Sequence, residues 1–525
     1  MSGASTWQSF LDQSLAHEEL GVWLDFSGLP AAERPDAALV ERTRRALAEM
    51  AALEAGAIAN PDEGRQVGHY WLRDPQLAPT AEQRNAIRQA QHQVREFAAA
   101  VREGTVAAPS GRPFGHLLIV GIGGSALGPQ LAAAALGRCS DPLEMHFLDN
   151  TDPEGFEQVF SRLEGHLDRL LVVVVSKSGG TPETRNGLEE TWRRLEGAGL
   201  KPPRHLVAVT GEGSALADRA RVEGWLATFP MWDWVGGRTS QTSAVGLLPM
   251  ALEGHDVEGF LAGAREMDRW TRSADPQANP AARMAMAWYG ATGGRGRRDM
   301  VVIPYRDRLS LFARYLQQLV MESLGKEKDI CGRVVRQGLT VYGNKGSTDQ
   351  HAYVQQLRDG LDNYFLTLIA TLEDPREADA GGPTAGDYLL GFLLGTRRAL
   401  LDGGRRVITL VLRRIDAFSL GALIALYERS VGLYAGMIGI NAYHQPGVEA
   451  GKKAAAGVLE LQAALLEHIA ARADRELDAA GWAEAVGRPE MAVEAHWLLE
   501  HLAACGRGVR RVPAHPAPRF RSTVD

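Results

Sequence analysis

The chain is 525 residues long, 45% hydrophobic and 23% charged, with a formal net charge of −7. That is the make-up of an ordinary globular protein with room for two to four cored domains, and its acidity excludes nucleic acid as the main partner, so an anionic ligand must meet local positive charge. No stretch approaches the ~18 apolar residues of a membrane helix, Met1–Leu20 lacks the apolar core of a signal peptide, and Cys139, Cys331 and Cys505 are too scattered for a disulfide framework or thiolate metal site, which points to a reducing cytoplasm.

Residues 1–110 read as helical, with Ala/Glu/Arg-rich segments at Ala37–Ala57 and Thr80–Glu103. From His116 the pattern changes to strands alternating with helices: His116–Val120, Glu144–Asp149, Leu170–Val175 and His205–Thr210. Such alternation describes a doubly wound α/β unit built on a parallel sheet. Thr242–Ala291 is predominantly helical, and the alternation resumes with a strand at Asp299–Pro304, a helix over Ser310–Leu324 and a strand at Arg406–Leu412. Leu459–Arg507 reads as a helical arm, and Gly508–Asp525 as a loosely ordered tail. The expected fold class is therefore α/β with two doubly wound parallel-sheet domains. A helical N-terminal segment (1–111) packs with the larger domain (271–460), 112–270 forms the smaller one, and 461–525 is the arm and tail.

Two strand-to-helix loops have the composition of phosphate cradles. Leu170–Val175 runs into Ser176-Lys177-Ser178-Gly179-Gly180-Thr181, with Pro182 suited to the first turn of a helix and Thr181 to its cap. His116–Val120 runs into Gly121-Ile122-Gly123-Gly124-Ser125, with a helix over Ala126–Leu136. Hydroxyls, glycines and a lysine at helix starts offer donors to a phosphate. The first glycine loop is neither a dinucleotide fingerprint nor a P-loop, because its spacing is wrong and no Gly-Lys-Ser/Thr follows. A Gly-rich turn alone often serves only close packing; the pair points to a sugar phosphate or nucleotide phosphate. Ligands of open α/β sheets lie beyond the carboxyl ends of strands, where both loops sit.

Four further stretches are more polar than packing demands. Gly236-Gly237-Arg238-Thr239-Ser240 precedes a helix, and Gln317-Gln318-Leu319-Val320-Met321-Glu322-Ser323 lies within one. Gly346-Ser347-Thr348-Asp349-Gln350-His351 reads as a loop ending near a helix start, and Gln445 through Lys452 opens another helix. Taken singly, each residue has a plainer reading: a helix Glu or a lone Lys is usually solvated, and a Gly-Gly-Arg is usually a turn. His496 and His501, five apart, do not share a helix face, so they suggest no metal.

Taken together, the two cradles, Gly237-Arg238, Met321-Glu322-Ser323 with Gly325-Lys326, Gln350-His351 and Gln445–Lys452 resemble the glucose-6-phosphate isomerase family, in its order and rough spacing, over about residues 20–460 from Asp25-Phe26-Ser27. The resemblance implies sugar-isomerase-type domains and an aldose–ketose isomerase of glycolysis and gluconeogenesis that works by ring opening and a cis-enediol(ate). It implies Glu322 as the base moving the C2 proton to C1, Arg238 as the cation for the enediolate, and His351 and Lys452 in ring opening. Gln318 and Gln445 would hold the sugar; Ser125, Ser176, Lys177, Ser178 and Thr181 the phosphate; Gly124 and Gly237 close backbone approach. No metal or cofactor is implied. A homodimer whose shared site takes the histidine from the partner subunit is.

Three departures stand out: Leu324 where the family commonly has Asn, Gly179-Gly180 where bulkier or hydroxyl residues are common, and Gly-Ser-Thr-Asp-Gln-His for the commoner Gly-Thr-Asn-Gly-Gln-His. The rival readings are a non-catalytic sugar-phosphate sensor, which has no use for Glu322, His351 and Lys452 together, and an isomerase that also accepts mannose 6-phosphate.

Overall fold

The computed structural model describes residues 7–374 and 382–523, with the side chains of 448–450 and 452 outside the description. Eleven strands make its two large sheets: β1 (Ser14–His17), β2 (Val22–Gly28), β3 (His116–Val120), β4 (Glu144–Leu148), β5 (Leu170–Ser176), β6 (Leu206–Thr210), β7 (Ala227–Pro230), β8 (Asp299–Pro304), β9 (Val341–Tyr342), β10 (Tyr364–Thr371) and β11 (Val407–Leu412). The smaller sheet is wholly parallel in the order β4-β3-β5-β6-β7. The larger runs β1-β2-β11-β10-β8-β9, parallel from β11 to β9.

Parallel strands are covered on both faces, which is why their sequences are continuous apolar runs. Every residue of β3, β5, β6 and β10 is buried. In the smaller sheet Leu118, Val120, Val172 and Val174 pack on Leu188 of helix Pro182–Gly197 and on Phe160 and Leu216. The alternate residues Leu117, Ile119, Leu171 and Val173 face a large cluster shared with Met300, Val302, Phe365 and Ile408 of the larger sheet. Helices Ala81–Arg102, Ala244–Leu252 and Ala417–Ile438 contribute to the same cluster.

The N-terminal segment differs from the helical expectation. Its helices Ala37–Glu54 and Ala81–Arg102 form, the latter with a Thr80–Gln83 capping box. But β2 pairs antiparallel with β11, and β1 with β2, so the larger sheet is mixed. Asp25, buried on β2, accepts from Arg397 at 2.6 Å, a polar pair that hides the strand's apolar alternation.

The chain divides into two compact units, Met1–His444 and Gln445–Asp525. The expected boundary at 460 would cut the single helix Pro446–Ala471. The expected loose tail is also corrected: Val509–Val512 and Arg519–Ser522 form a three-stranded antiparallel sheet with Leu477–Asp478, and Phe520 is fully buried with Trp482, Leu465 and Leu499. A further correction concerns apolar stretches. Lys453–Ala471 is long and apolar enough, by composition, to cross a membrane. Its Leu461, Leu465 and Ile469 instead bury against Trp482 and Leu499, as one stripe of a helix does in a small core.

Candidate active site

Two loops meet through bare backbone. After β3 the chain makes a tight turn at Gly123–Ser125 before helix Leu127–Leu136, and a second turn, Gly237–Thr239, follows β7. A Cβ on Gly124 would lie 2.2 Å from the Gly237 carbonyl oxygen and 2.7 Å from its Cα, so no side chain fits there. The Ser240 hydroxyl lies 2.8 Å from the Gly237 carbonyl and 3.2 Å from that of Gly124, pinning the two turns. Gln318 leans on the same loop, its Nε2 being 3.1 Å from where a Cβ of Gly123 would stand.

Arg238 projects from the second turn and is 7% exposed. Its Nη1 lies 3.0 Å from Glu322 Oε2, and its Nη2 donates to the Ala442 carbonyl at 2.8 Å. Glu322, with 21% of its side chain exposed, ends a π-helical segment, Gln317–Glu322, that continues the short helix Phe312–Leu316. The expected regular helix over Ser310–Leu324 is thus wider in its second half, as single π turns at functional sites often are. Leu324 is wholly buried in the apolar cluster, so this departure alters packing and adds no polar group beside Glu322.

Lys326 joins this group although it was absent from the expected set. Its Nζ donates to the Glu322 backbone carbonyl at 2.5 Å. Burial, reinforced by Arg238, pushes its pKa down to about 8, against the pull of Glu322 and Asp62. The only sequence signal was its place in Gly325-Lys326. His444 lies alongside, its Nε2 3.7 Å from Asp62 and its Nδ1 3.2 Å from the Asn441 carbonyl. Burial and then Lys326 push the His444 pKa below its ordinary value.

The loop after β5, Ser176–Thr181, is held by its own hydroxyls. Ser176 Oγ, at the buried end of β5, donates to Thr181 Oγ1 at 3.2 Å and accepts from the Gly179 amide at 3.2 Å. Ser178 Oγ accepts from the Gly180 amide. Thr181 occupies the cap position of helix Pro182–Gly197, with Pro182 in its first turn, but its side chain makes no capping bond. Lys177 turns to the Trp-rich segment after β7: its Nζ donates to the carbonyls of Asp233 (3.1 Å) and Val235 (3.3 Å), and burial lowers its pKa. Gly179 is required by its φ of +71° and by the Leu216 amide nitrogen, which a Cβ would approach to 2.6 Å. The second departure therefore has a local steric reason.

His351 stands apart, exposed, at the end of the turn Thr348–His351. That turn is anchored by buried Asp349, which accepts from the Asn344 amide (2.9 Å) and the Tyr353 hydroxyl (2.6 Å). Asp349 is the distinctive residue of the third departure, so the substitution has a structural job here. Gln445 caps helix Pro446–Ala471 in the second unit and is exposed; the side chain of Lys452 lies outside the described residues.

The family model for phosphoglucose isomerase matches residues 36–374 and 394–470. A glucose-6-phosphate isomerase of Synechococcus sp. (strain JA-3-3Ab) is 56% identical, over 97% of this chain and 96% of its own. One from Geobacter sp. (strain M21) is 53% identical, over 96% of each. Among solved structures, a glucose-6-phosphate isomerase from Chlamydia trachomatis superposes with a TM-score of 0.79 at 28% identity, covering 88% of this chain and 92% of that one.

Proposed function

Because the chain belongs to the phosphoglucose isomerase family, we propose that it interconverts glucose 6-phosphate and fructose 6-phosphate at the site around Arg238 and Glu322. One observation carries the reading: a guanidinium on a turn whose backbone touches a glycine-rich loop lies 3.0 Å from a carboxylate at the end of the π-helical segment. Moving a proton between C1 and C2 requires a base over C2 and a cation beside the oxygen that becomes an enediolate. Glu322 is the base and returns the proton at C1. Arg238 has two donor nitrogens committed to Glu322 and the Ala442 carbonyl, so its charge is fixed in place before substrate arrives. No reorganisation is then needed as negative charge develops.

The phosphate binds at Ser125, Ser176, Ser178 and Thr181, with Gly124 and Gly237 allowing backbone approach and Lys177 adding charge nearby. Gln318 and Gln445 orient the sugar, and His351 and Lys452 open the ring; for Gln445 and Lys452 the roles rest on the motif match. The reaction places the protein in glycolysis and gluconeogenesis, in the cytoplasm, a location supported by three free, exposed cysteines. It works as a homodimer in which His351 serves the partner's site. Support comes from His351's exposure and from the nearby helix Ala385–Asp402, which leaves Tyr388, Leu390, Phe392 and Leu394 exposed.

The test is Glu322→Gln, which keeps shape and hydrogen bonding while removing the base. Isomerisation should fall by at least about 10²–10⁴-fold with sugar-phosphate affinity near the parental value. Deuterium at C2 of glucose 6-phosphate should no longer wash into water. Normal binding with parental exchange of that label would show that another group is the base.

A further inference from the structure

We propose that Asp141, Glu253 and His255 form a divalent-cation site that ties together the trailing ends of the two helices whose leading ends carry the substrate loops. Helix Leu127–Leu136 starts from the Gly123–Ser125 turn, and the chain beyond it supplies Asp141. Helix Ala244–Leu252 follows the Arg238 turn, and its C-cap is Glu253, two residues before His255. Between them Gly254 has φ +83°, a left-handed residue that turns the chain so both neighbours face Asp141.

His255 Nε2 lies 3.8 Å from Asp141 Oδ2 and 3.7 Å from Glu253 Oε2, and the three donor atoms fall within 4.8 Å of one another. Metal–ligand bonds of about 2.1 Å set tetrahedral neighbours about 3.4 Å apart, so the two gaps from His255 to the carboxylates need to close by only a few tenths of an ångström. The side chains are 9% (His255), 5% (Glu253) and 14% (Asp141) exposed. His255 Nε2 is buried and has no hydrogen-bond partner among the described residues. Nor does the Glu253 carboxylate have a hydrogen bond among them, and a buried acid without a donor or cation is costly. Among the described residues Asp141 Oδ2 accepts only from the Arg138 amide, at 2.6 Å. The neighbouring guanidiniums, Arg138 and Arg308, make no ion pair with these acids; Arg308 donates to the Ala135 carbonyl instead.

One imidazole and two carboxylates suit a borderline ion such as Zn²⁺ better than the all-oxygen ions Mg²⁺ and Ca²⁺. The other such group among the described residues, His116, Glu144 and His146, lacks this demand, because its imidazoles already hydrogen-bond to each other at 3.2 Å and Glu144 is exposed. The proposed ion lies at the far ends of the helices from the glycine loops and takes no part in proton transfer. Its role is to set how the loops at the leading ends meet.

Purified full-length protein, stripped with a chelator and dialysed against Zn²⁺, should retain one equivalent per chain, and Co²⁺ in its place should give visible absorption of a nitrogen/oxygen site. Zn²⁺ should raise the Tm of the parent. Glu253→Gln and His255→Asn should each weaken uptake by at least about 10–100-fold, since loss of a ligand costs no less than loss of an outer-shell partner, and should abolish the Zn²⁺-dependent Tm shift while remaining folded. His116→Asn should leave both readouts unchanged. No stoichiometric uptake by the parent, uptake equal in all variants, or loss only with His116→Asn would each overturn the proposal; the first, with Glu253→Gln more stable than the parent, assigns the place to a shared proton.

Discussion

Lys326 sits where two demands on one amine conflict: its chain is buried, yet its nitrogen is held beside Arg238. The folded pKa of about 8 lies below the ordinary 10.5. Between those values the unfolded chain binds more protons than the folded one, so stability rises with pH; below about 8 the cost of burying the ammonium is constant. The parent should therefore gain on Lys326→Met between pH 8 and 10.5 in paired urea unfolding, with little relative change from pH 6 to 7. A difference flat across the alkaline range would show that the amine is not penalised by burial. Lys326 was legible only as part of a motif, since spacing says nothing about which way a lysine turns. Lys177 teaches the same lesson, because its composition suggested a phosphate contact and its nitrogen reaches first for the carbonyls of Asp233 and Val235.

The loop after β5 binds through donors that exist before and during the reaction. Ser176→Ala and Thr181→Val should therefore raise KM and leave kcat nearly unchanged. Each loses a charge-assisted hydrogen bond worth about 1.5–3 kcal/mol, or roughly 10–150-fold in KM. Steady-state kinetics on folded variants decides this, and an unaltered KM for both would take the pair out of the phosphate site. The strand of that loop was easy to read because two-sided burial writes an unbroken apolar run. The missed elements lack any such local mark. Strand β2 carries Asp25 and Ser27 on buried positions, acceptable only because Arg397 comes to them from far along the chain. The strands Val509–Val512 and Arg519–Ser522 are rich in arginine and exist through pairing with each other and with Leu477–Asp478. The π-helical widening at Gln317–Glu322 follows a helical pattern that does not distinguish one hydrogen-bond register from the next.

The proposed sharing of His351 between subunits makes a test at the level of the assembly. Glu322→Gln and His351→Ala should each be nearly inactive alone. After mixing, subunit exchange puts both lesions in one site of each heterodimer and leaves the other site intact, so random pairing by two-fold symmetry should restore about a quarter of parental activity. If activity stays at the level of the separate variants while heterodimers are seen by mass, each subunit uses its own histidine.

The pairing of β2 with β11 joins Val22 to Leu412 and Gly28 to Val407. On a ribosome these partners emerge far apart in time: at 5–20 residues per second, about 380 residues of further synthesis take roughly 20–80 s. Throughout that interval the edge of β2 that faces β11 stays unpaired. An early strand of the larger sheet is thus completed by its last one. The larger sheet is complete only once β11 has left the exit tunnel.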